Sequence, residues 1–237
     1  MEPLKILPSK FSILNSPMSI TAESVKPLLL STDFGERLRG INQLRELDRA
    51  IAFELIQPMV QDTNVRVRYA AMCQLSTLGV EDPAATLTLL RIGMRDSEAD
   101  VQAAAADGIG ALHLVEAFPD LQQLYISTPD WIVQMSIVAT LGELGDPRAV
   151  DLLASALNSG TELLVISAIG ALGELKDERA IALLQPFATD DDSQIRYRVA
   201  QAMSYFAGKD EAKAILQTLA ADADSQIASY AQELLGN

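Results

Sequence analysis

TLGELGDPRAVDLLASAL, residues 140–157, returns 31 residues later as ALGELKDERAIALLQPFA, residues 171–188. Across 140–153 and 171–184 nine residues are identical: Leu141, Gly142, Glu143, Leu144, Asp146, Arg148, Ala149, Leu152 and Leu153. A copy this close at a fixed distance marks an internal repeat, and the repeat decides the fold before any single element does. The stretch reads as a helix end, a tight turn and a second helix. Leu-Gly-x-Leu closes the first helix. Asp146 or Asp177 caps the second, and Pro147 takes its first position, where a missing N–H costs nothing.

Outward from this stretch an apolar anchor opens the second helix of each unit, with large apolar residues 8 and 11 positions later. It falls at Val67 (Leu75, Leu78), Val101 (Ile109, Leu112), Val133 (Leu141, Leu144), Leu164 (Leu172, Leu175) and Ile195 (Met203, Phe206). Glu36 (Leu44, Leu47) marks a weaker first copy and Ile227 (Leu235) a truncated last one, with successive spacings of 31, 34, 32, 31, 31 and 32. Each unit therefore holds a first helix, A, and a second, B. Turns carry Asp62-Thr63-Asn64, Asp96-Ser97, Asn158-Ser159-Gly160 and Asp190-Asp191-Asp192. Their side-chain oxygens cap free N–H groups, and Gly accepts positive φ. Val80-Glu81, inserted before Asp82-Pro83, accounts for the longest spacing. The expected fold is all-α, a solenoid of about six and a half helical-hairpin repeats over residues 21–237.

Composition narrows the function classes. Apolar residues make up 49% and aromatics 5%, so the core is mostly aliphatic. With 18 basic against 32 acidic residues the formal charge is −14, which disfavours nucleic acid as a general partner. One cysteine and one histidine exclude an intrachain disulfide and a Cys/His metal site. No apolar run reaches the roughly 18 residues of a membrane span. Residues 1–20, with three prolines and no helical period, read as a flexible extension, with Met18 as an alternative start and Thr21 as the first N-cap.

The pattern V-R-x-x-A-A-x-x-L-x-x-L-G, then D-P/E-R-A, resembles the HEAT-like repeats of the cyanobacterial phycobilin lyase group. Val67-Arg68-Tyr69-Ala70-Ala71 and Gly145-Asp146-Pro147-Arg148-Ala149 carry the resemblance. Residues 38–47 and Ile195-Arg196-Tyr197-Arg198 make it similar, more narrowly, to the phycobilisome degradation proteins within that group. The resemblance implies HEAT-like repeats and a cytoplasmic protein that meets phycobiliprotein subunits of the phycobilisome, at the thylakoid surface.

Where would such a protein bind? Successive helical residues turn by about 100°, so offsets +2 and +6 from the anchor lie at about 200° and 240°, opposite the core stripe. If the B helices line the concave surface, these offsets face a groove. Offset +2 gives Leu38, Tyr69, Ala103, Met135, Ile166 and Tyr197, and offset +6 gives Asn42, Cys73, Asp107, Ala139, Gly170 and Gln201. An apolar and aromatic column of this kind reads as an interaction surface. The alternative is that curvature buries it against neighbouring B helices. Trp131, the single tryptophan, is either a partner anchor or a staple against the preceding helix. Arg37, Arg68 and Arg196 at offset +1 are expected to bond the next unit. Under the family resemblance they become contacts for bilin propionates, and Asp107 a partner for pyrrole N–H groups. Cys73 lies near Arg66 and Arg68, charges that would lower a thiol pKa, against the plainer reading of a small half-buried residue. Glu143 and Glu174 share offset +10, which points to a repeated structural bond rather than to acid–base catalysis. His113 has no evident nucleophile beside it.

The leading expectation is a non-catalytic phycobiliprotein-binding adaptor that promotes phycobilisome disassembly during nutrient starvation, with no resident cofactor or metal. The alternatives are a phycobilin lyase or lyase subunit, with transient phycocyanobilin binding, and a scaffold for an unrelated protein partner.

Overall fold

The computed structural model describes residues 20–236, among which there are fourteen α-helices and no strand. They form seven A/B pairs. The A helices are α1 (Ala22–Leu29), α3 (Arg49–Ile56), α5 (Pro83–Gly93), α7 (Phe118–Ser127), α9 (Ala149–Ala156), α11 (Arg179–Leu184) and α13 (Asp210–Leu219). The B helices are α2 (Phe34–Gln43), α4 (Val65–Leu78), α6 (Ala99–Ala111), α8 (Trp131–Leu144), α10 (Glu162–Leu175), α12 (Ser193–Met203) and α14 (Ser225–Gly236). The last unit, read as truncated from its apolar pattern, has both helices. The extension assigned to residues 1–20 lies outside the described residues, except for Ile20.

The anchor frame matches the core. Val67, Val101, Val133, Leu164, Ile195 and Ile227 are buried, as are Leu75, Ile109, Leu141, Leu172 and Met203 eight positions later. All join one continuous apolar cluster. Each B helix packs on the B helix of the next unit, forming one layer with the A helices outside it.

Local chemistry sets the helix ends. Thr21 and Ser24 form a reciprocal capping box on α1. Asp82 caps α5 with Pro83 at its first position, as expected, and Gly79–Glu81 before it forms a 3-10 turn. At Asp146-Pro147 the start is offset: Asp146 accepts the Arg148 N–H, Ala149 N–H bonds back to the Asp146 carbonyl at 2.9 Å, and regular α-helix begins only at Ala149. Helices α3 and α11 tighten into 3-10 turns at Gln57-Pro58 and Gln185-Pro186. Pro supplies no N–H there and crowds the preceding turn. Three B helices stop at the same offset, +12, in left-handed conformation: His113 (φ 49°), Gly145 (φ 66°) and Lys176 (φ 56°).

Leu-Gly-x-Leu closes α8 and α10 as expected, at Leu144 and Leu175, and its glycine has a packing role besides. Gly142 and Gly173 lie inside α8 and α10 and face the next B helix. A Cβ on Gly142 would come within 2.7 Å of Ala171 Cα, and one on Gly173 within 2.9 Å of Ala202 Cα. Glycine at +9 thus lets successive B backbones touch over the +7 residue. Where +7 is polar it is also used: Gln74 Nε2 donates to the Ile41 carbonyl and Thr140 Oγ1 to the Ala106 carbonyl, both at 2.9 Å and both buried.

Candidate binding face of the B helices

Five residues before each anchor stands Ser31, Asp62, Asp96, Thr128, Ser159, Asp190 or Asp222. Each accepts, through its side-chain oxygen, the N–H of the residue two positions on, at 2.8–3.2 Å. The +1 side chain then bonds the carbonyl of the same −5 residue. Arg37, Arg68 and Arg196 do so through Nη1, and Gln102 and Gln134 through Nε2. The arginines reach further. Nε and Nη2 of Arg37, Arg68 and Arg196 form two-pronged pairs with Asp62, Asp96 and Asp222 of the following unit, at 2.6–2.9 Å.

These three arginines were candidates for bilin carboxylates. The structure commits their donors to the inter-repeat ladder instead, and a propionate would have to displace an aspartate that is itself mostly buried. The ladder has charged rungs at both ends of the array. Its centre, at Gln102/Thr128, Gln134/Ser159 and Val165/Asp190, has none.

The exposed side of the B layer is where binding residues remain. Asn42, Tyr69, Cys73, Asp107 and Trp131 are exposed, while Leu38, Met135, Ile166, Tyr197 and Gln201 are half-buried. Leu38, Met135, Ile166 and Tyr197 also pack on the core cluster, and Ala103 is buried. The +2 column is therefore only partly a surface, because at about 200°, beside the +9 glycine, it leans towards the next B helix. Offsets −1 and +10, at about 260° and 280°, point outward more directly. They add Ile132, Leu163, Glu143, Glu174 and Tyr205, which the sequence reading either passed over or gave a structural role. The same wheel contained the signal.

Trp131 begins α8 and is 49% exposed, behind the Asp130 cap. Ile132 and Leu163 are 38% and 54% exposed. Glu143 and Glu174 do not share a repeated bond: among the described residues neither side chain has an ion-pair or hydrogen-bond partner. Burial pushes the Glu143 carboxyl above its ordinary range, and the charges of Glu174 and Asp107 add to this. Burial likewise raises Asp107, against a hydrogen bond from Ser136. The Cys73 thiol is raised, first by burial and then by Asp107, despite a hydrogen bond with Tyr69. The activation by Arg66 and Arg68 envisaged above is absent, because Arg68 is spent on Asp96. His113 Nδ1 lies 3.1 Å from the Glu143 carbonyl, at the end of α8.

Towards the C-terminal units the face dips. A depression of about 350 Å³ lies among Ile166, Tyr197, Gln201 and Ile227. A second, of about 240 Å³, is lined by Gly170, Glu174, Arg198, Tyr205 and Tyr230. Tyr197 and Tyr230 pack with ring centroids 5.5 Å apart, and Lys176 Nζ sits 5.7 Å from the Tyr205 ring. A larger cleft, about 770 Å³, opens on the A side between α11 and α13. Its walls mix apolar residues such as Ile181 and Ile215 with polar ones, including Glu178 and Glu211. No group of His, Cys, Asp and Glu among the described residues has a metal-binding arrangement, and no described helix is long and apolar enough to cross a membrane.

Solved structures that share this architecture include those of three proteins. The complex of CpcE and CpcF of phycocyanin lyase from Nostoc sp. PCC7120 matches at TM-score 0.60 and 23% identity, over 80% of this chain and 76% of that one. YibA of Escherichia coli matches at TM-score 0.67 and 18% identity, over 91% and 81%. An engineered protein matches at TM-score 0.64 and 19% identity, over 91% and 67%. Comparison with curated protein sequences gives no significant match. The family model for HEAT repeats matches residues 86–170 and 162–236, more than half of the sequence, and the chain belongs to the HEAT-repeat family.

Proposed function

We propose that the chain is a non-catalytic adaptor that binds a phycobiliprotein subunit through the exposed side of its B layer and promotes phycobilisome disassembly under nutrient starvation. The observation that carries this reading is the apolar surface at the start of α8 and α10, where Trp131, Ile132 and Leu163 stand in solvent. Singly exposed apolar residues are ordinary, but several on adjacent helices of a repeat array make a docking surface. The likeness in fold to the phycocyanin lyase subunits supports a phycobiliprotein as the partner. The mechanism is differential binding. A protein that binds a partly exposed subunit more tightly than the assembled antenna shifts the assembly equilibrium without chemistry of its own.

The same likeness favours one second reading, a bilin lyase or lyase subunit. Incubation with chromophorylated phycobiliprotein, and separately with apo-subunit plus phycocyanobilin, separates the two. The adaptor reading expects a stoichiometric complex with the bilin attachment unchanged. Covalent transfer or release of the bilin overturns it in favour of the lyase. Failure to retain any phycobiliprotein subunit overturns both.

A further inference from the structure

Helices α8 and α10 present one arrangement twice. Offsets −1, +2, +6 and +10 fall within about 80° of one another on a helix. In α8 they are Ile132, Met135, Ala139 and Glu143, and in α10 Leu163, Ile166, Gly170 and Glu174. Each helix thus offers large apolar side chains near its start, a small residue at its middle and a carboxylate near its end. At 1.5 Å per residue, offsets +2 and +10 are about 12 Å apart, close to the 10–12 Å diameter of an α-helix with its side chains. Neighbouring B helices do not share the pattern: α6 has Asp100, Ala103, Asp107 and Ala111, and α12 with the 3-10 turn after it has Gln194, Tyr197, Gln201 and Tyr205.

We propose that the trough across α8 and α10 docks an amphipathic helix of the protein partner, its apolar flank on Met135 and Ile166 and a basic flank on Glu143 and Glu174. The partner's identity as a phycobiliprotein rests on the reading above, whereas the chemistry of the trough does not. Charge complementarity selects the occupant. The two carboxylates stand at the same offset of adjacent helices, Glu143 over Gly110 of α6, and neither is in an ion pair among the described residues, on a chain of net charge −14. An anionic bilin would bring its propionates against them, whereas Lys or Arg side chains would neutralise them. Packed helices lie about 8–10 Å apart, so basic residues seven positions apart, about 10.5 Å along one face of a helix, meet both carboxylates. The ends of the trough set polarity. Asp107 of α6 bounds one side, and Arg198 of α12 bounds the other, its Cδ 3.8 Å from where a Cβ on Gly170 would sit. The partner's positive N-terminus is favoured at Asp107 and its negative C-terminus at Arg198.

The test is fluorescence anisotropy with the full chain and a labelled 18-residue model helix, with a Leu/Ala face and lysines seven apart on one flank. Matched peptides carry Glu for Lys, or the lysines on the opposite flank. Gly170→Leu fills the floor of the trough, where nothing but Arg198 lies within 4 Å of the new Cβ. Glu143→Gln with Glu174→Gln removes the charge without changing shape. The expected result is binding of the lysine peptide alone, weakened about tenfold or more by either variant, with the salt dependence lost in the Gln variant. Circular dichroism and urea unfolding check that both variants are folded. Equal binding of the Lys and Glu peptides, no binding of the lysine peptide, or unchanged affinity in both folded variants overturns the proposal. Peptide binding without capture of a phycobiliprotein removes the named partner and leaves the trough. Capture with no peptide binding removes the trough and leaves the partner.

Discussion

Replacing Arg68 by Gln and Asp96 by Thr, singly and together, tests how one unit is held to the next. Arg68 Nε and Nη2 reach Asp96 at 2.6 and 2.9 Å, and the two side chains are only 16% and 9% exposed. Arg68→Gln keeps the bond to the Asp62 carbonyl, as Gln102 and Gln134 keep theirs, but leaves Asp96 sheltered without a cation. That loss is worth about 2 kcal/mol, between an ordinary hydrogen bond to a charged group and a broken buried ion pair. Asp96→Thr keeps the turn cap, because Thr128 already makes it in the next unit at 3.2 Å. It strands Arg68, which still reaches water, so the cost is about 1 kcal/mol. The double variant recreates the Gln102/Thr128 step and should cost about 1 kcal/mol in total, well short of the sum. Urea unfolding at pH 7 reads all four proteins. The pH dependence carries the sign. Burial raises the Asp96 carboxyl, but the Arg68 hydrogen bonds and the Glu98 N–H outweigh it, and the group lies below its ordinary value. A carboxyl lowered on folding stabilises fully above its unfolded pKa of about 4 and loses that effect as pH falls through the folded value. The deficit of Arg68→Gln should therefore shrink below about pH 4. A double variant as damaged as the summed singles, or a deficit that grows in acid, would refute the ladder as the source of coupling.

Four further predictions concern single positions. Gly142→Ala drives a Cβ to 2.7 Å from Ala171 Cα and should destabilise by about 2 kcal/mol in urea unfolding. Gly170→Ala, at offset +6 of the following helix, where a Cβ meets only Arg198 at an ordinary 3.8 Å contact, should stabilise by up to about 1 kcal/mol through helix propensity. Lys176→Gly relieves a non-glycine residue at φ 56° and should stabilise by about 0.5–1 kcal/mol, net of the unfolded-state entropy of glycine and the lost Tyr205 contact. Glu143→Gln should raise stability at pH 7, and the gain should fade in acid. Its folded pKa is raised, by burial first and then by Glu174 and Asp107, so the charged form opposes folding until the carboxyl is protonated. Matched unfolding curves at pH 7 and pH 4 check this, and a gain that increases in acid would contradict it.

The anchors were legible because a period of 31–34 residues leaves few registers, and burial follows register. The arginine ladder was half legible. Arg at +1 was visible, but its partner stands 25 to 28 residues on and becomes apparent only when the −5 turn residue is aligned with it. Leu-Gly-x-Leu was legible as a helix end, but the packing role of its glycine was not, because a helix end and a close backbone approach both favour glycine. The left-handed stops fall three residues after that glycine, and two of the three are not glycine, so no glycine pattern announces them. The binding face was blurred for a geometric reason. Offset +2 sits on the shoulder between core and solvent, and its burial depends on how the next B helix leans against it.

The backbone contact between Gly142 and Ala171 has a consequence for the length of the chain. The same pair of offsets meets again at Gly173 and Ala202. If residues 145–175 were copied once and inserted after Leu175, the first copy would still dock on Gly142, the second would dock on the first copy's Gly173, and its own Gly173 would receive Ala202. Every junction would be one the molecule already contains. The array is thus a rod that can be spliced at this point, with its span adjustable in whole units and both ends left as they are.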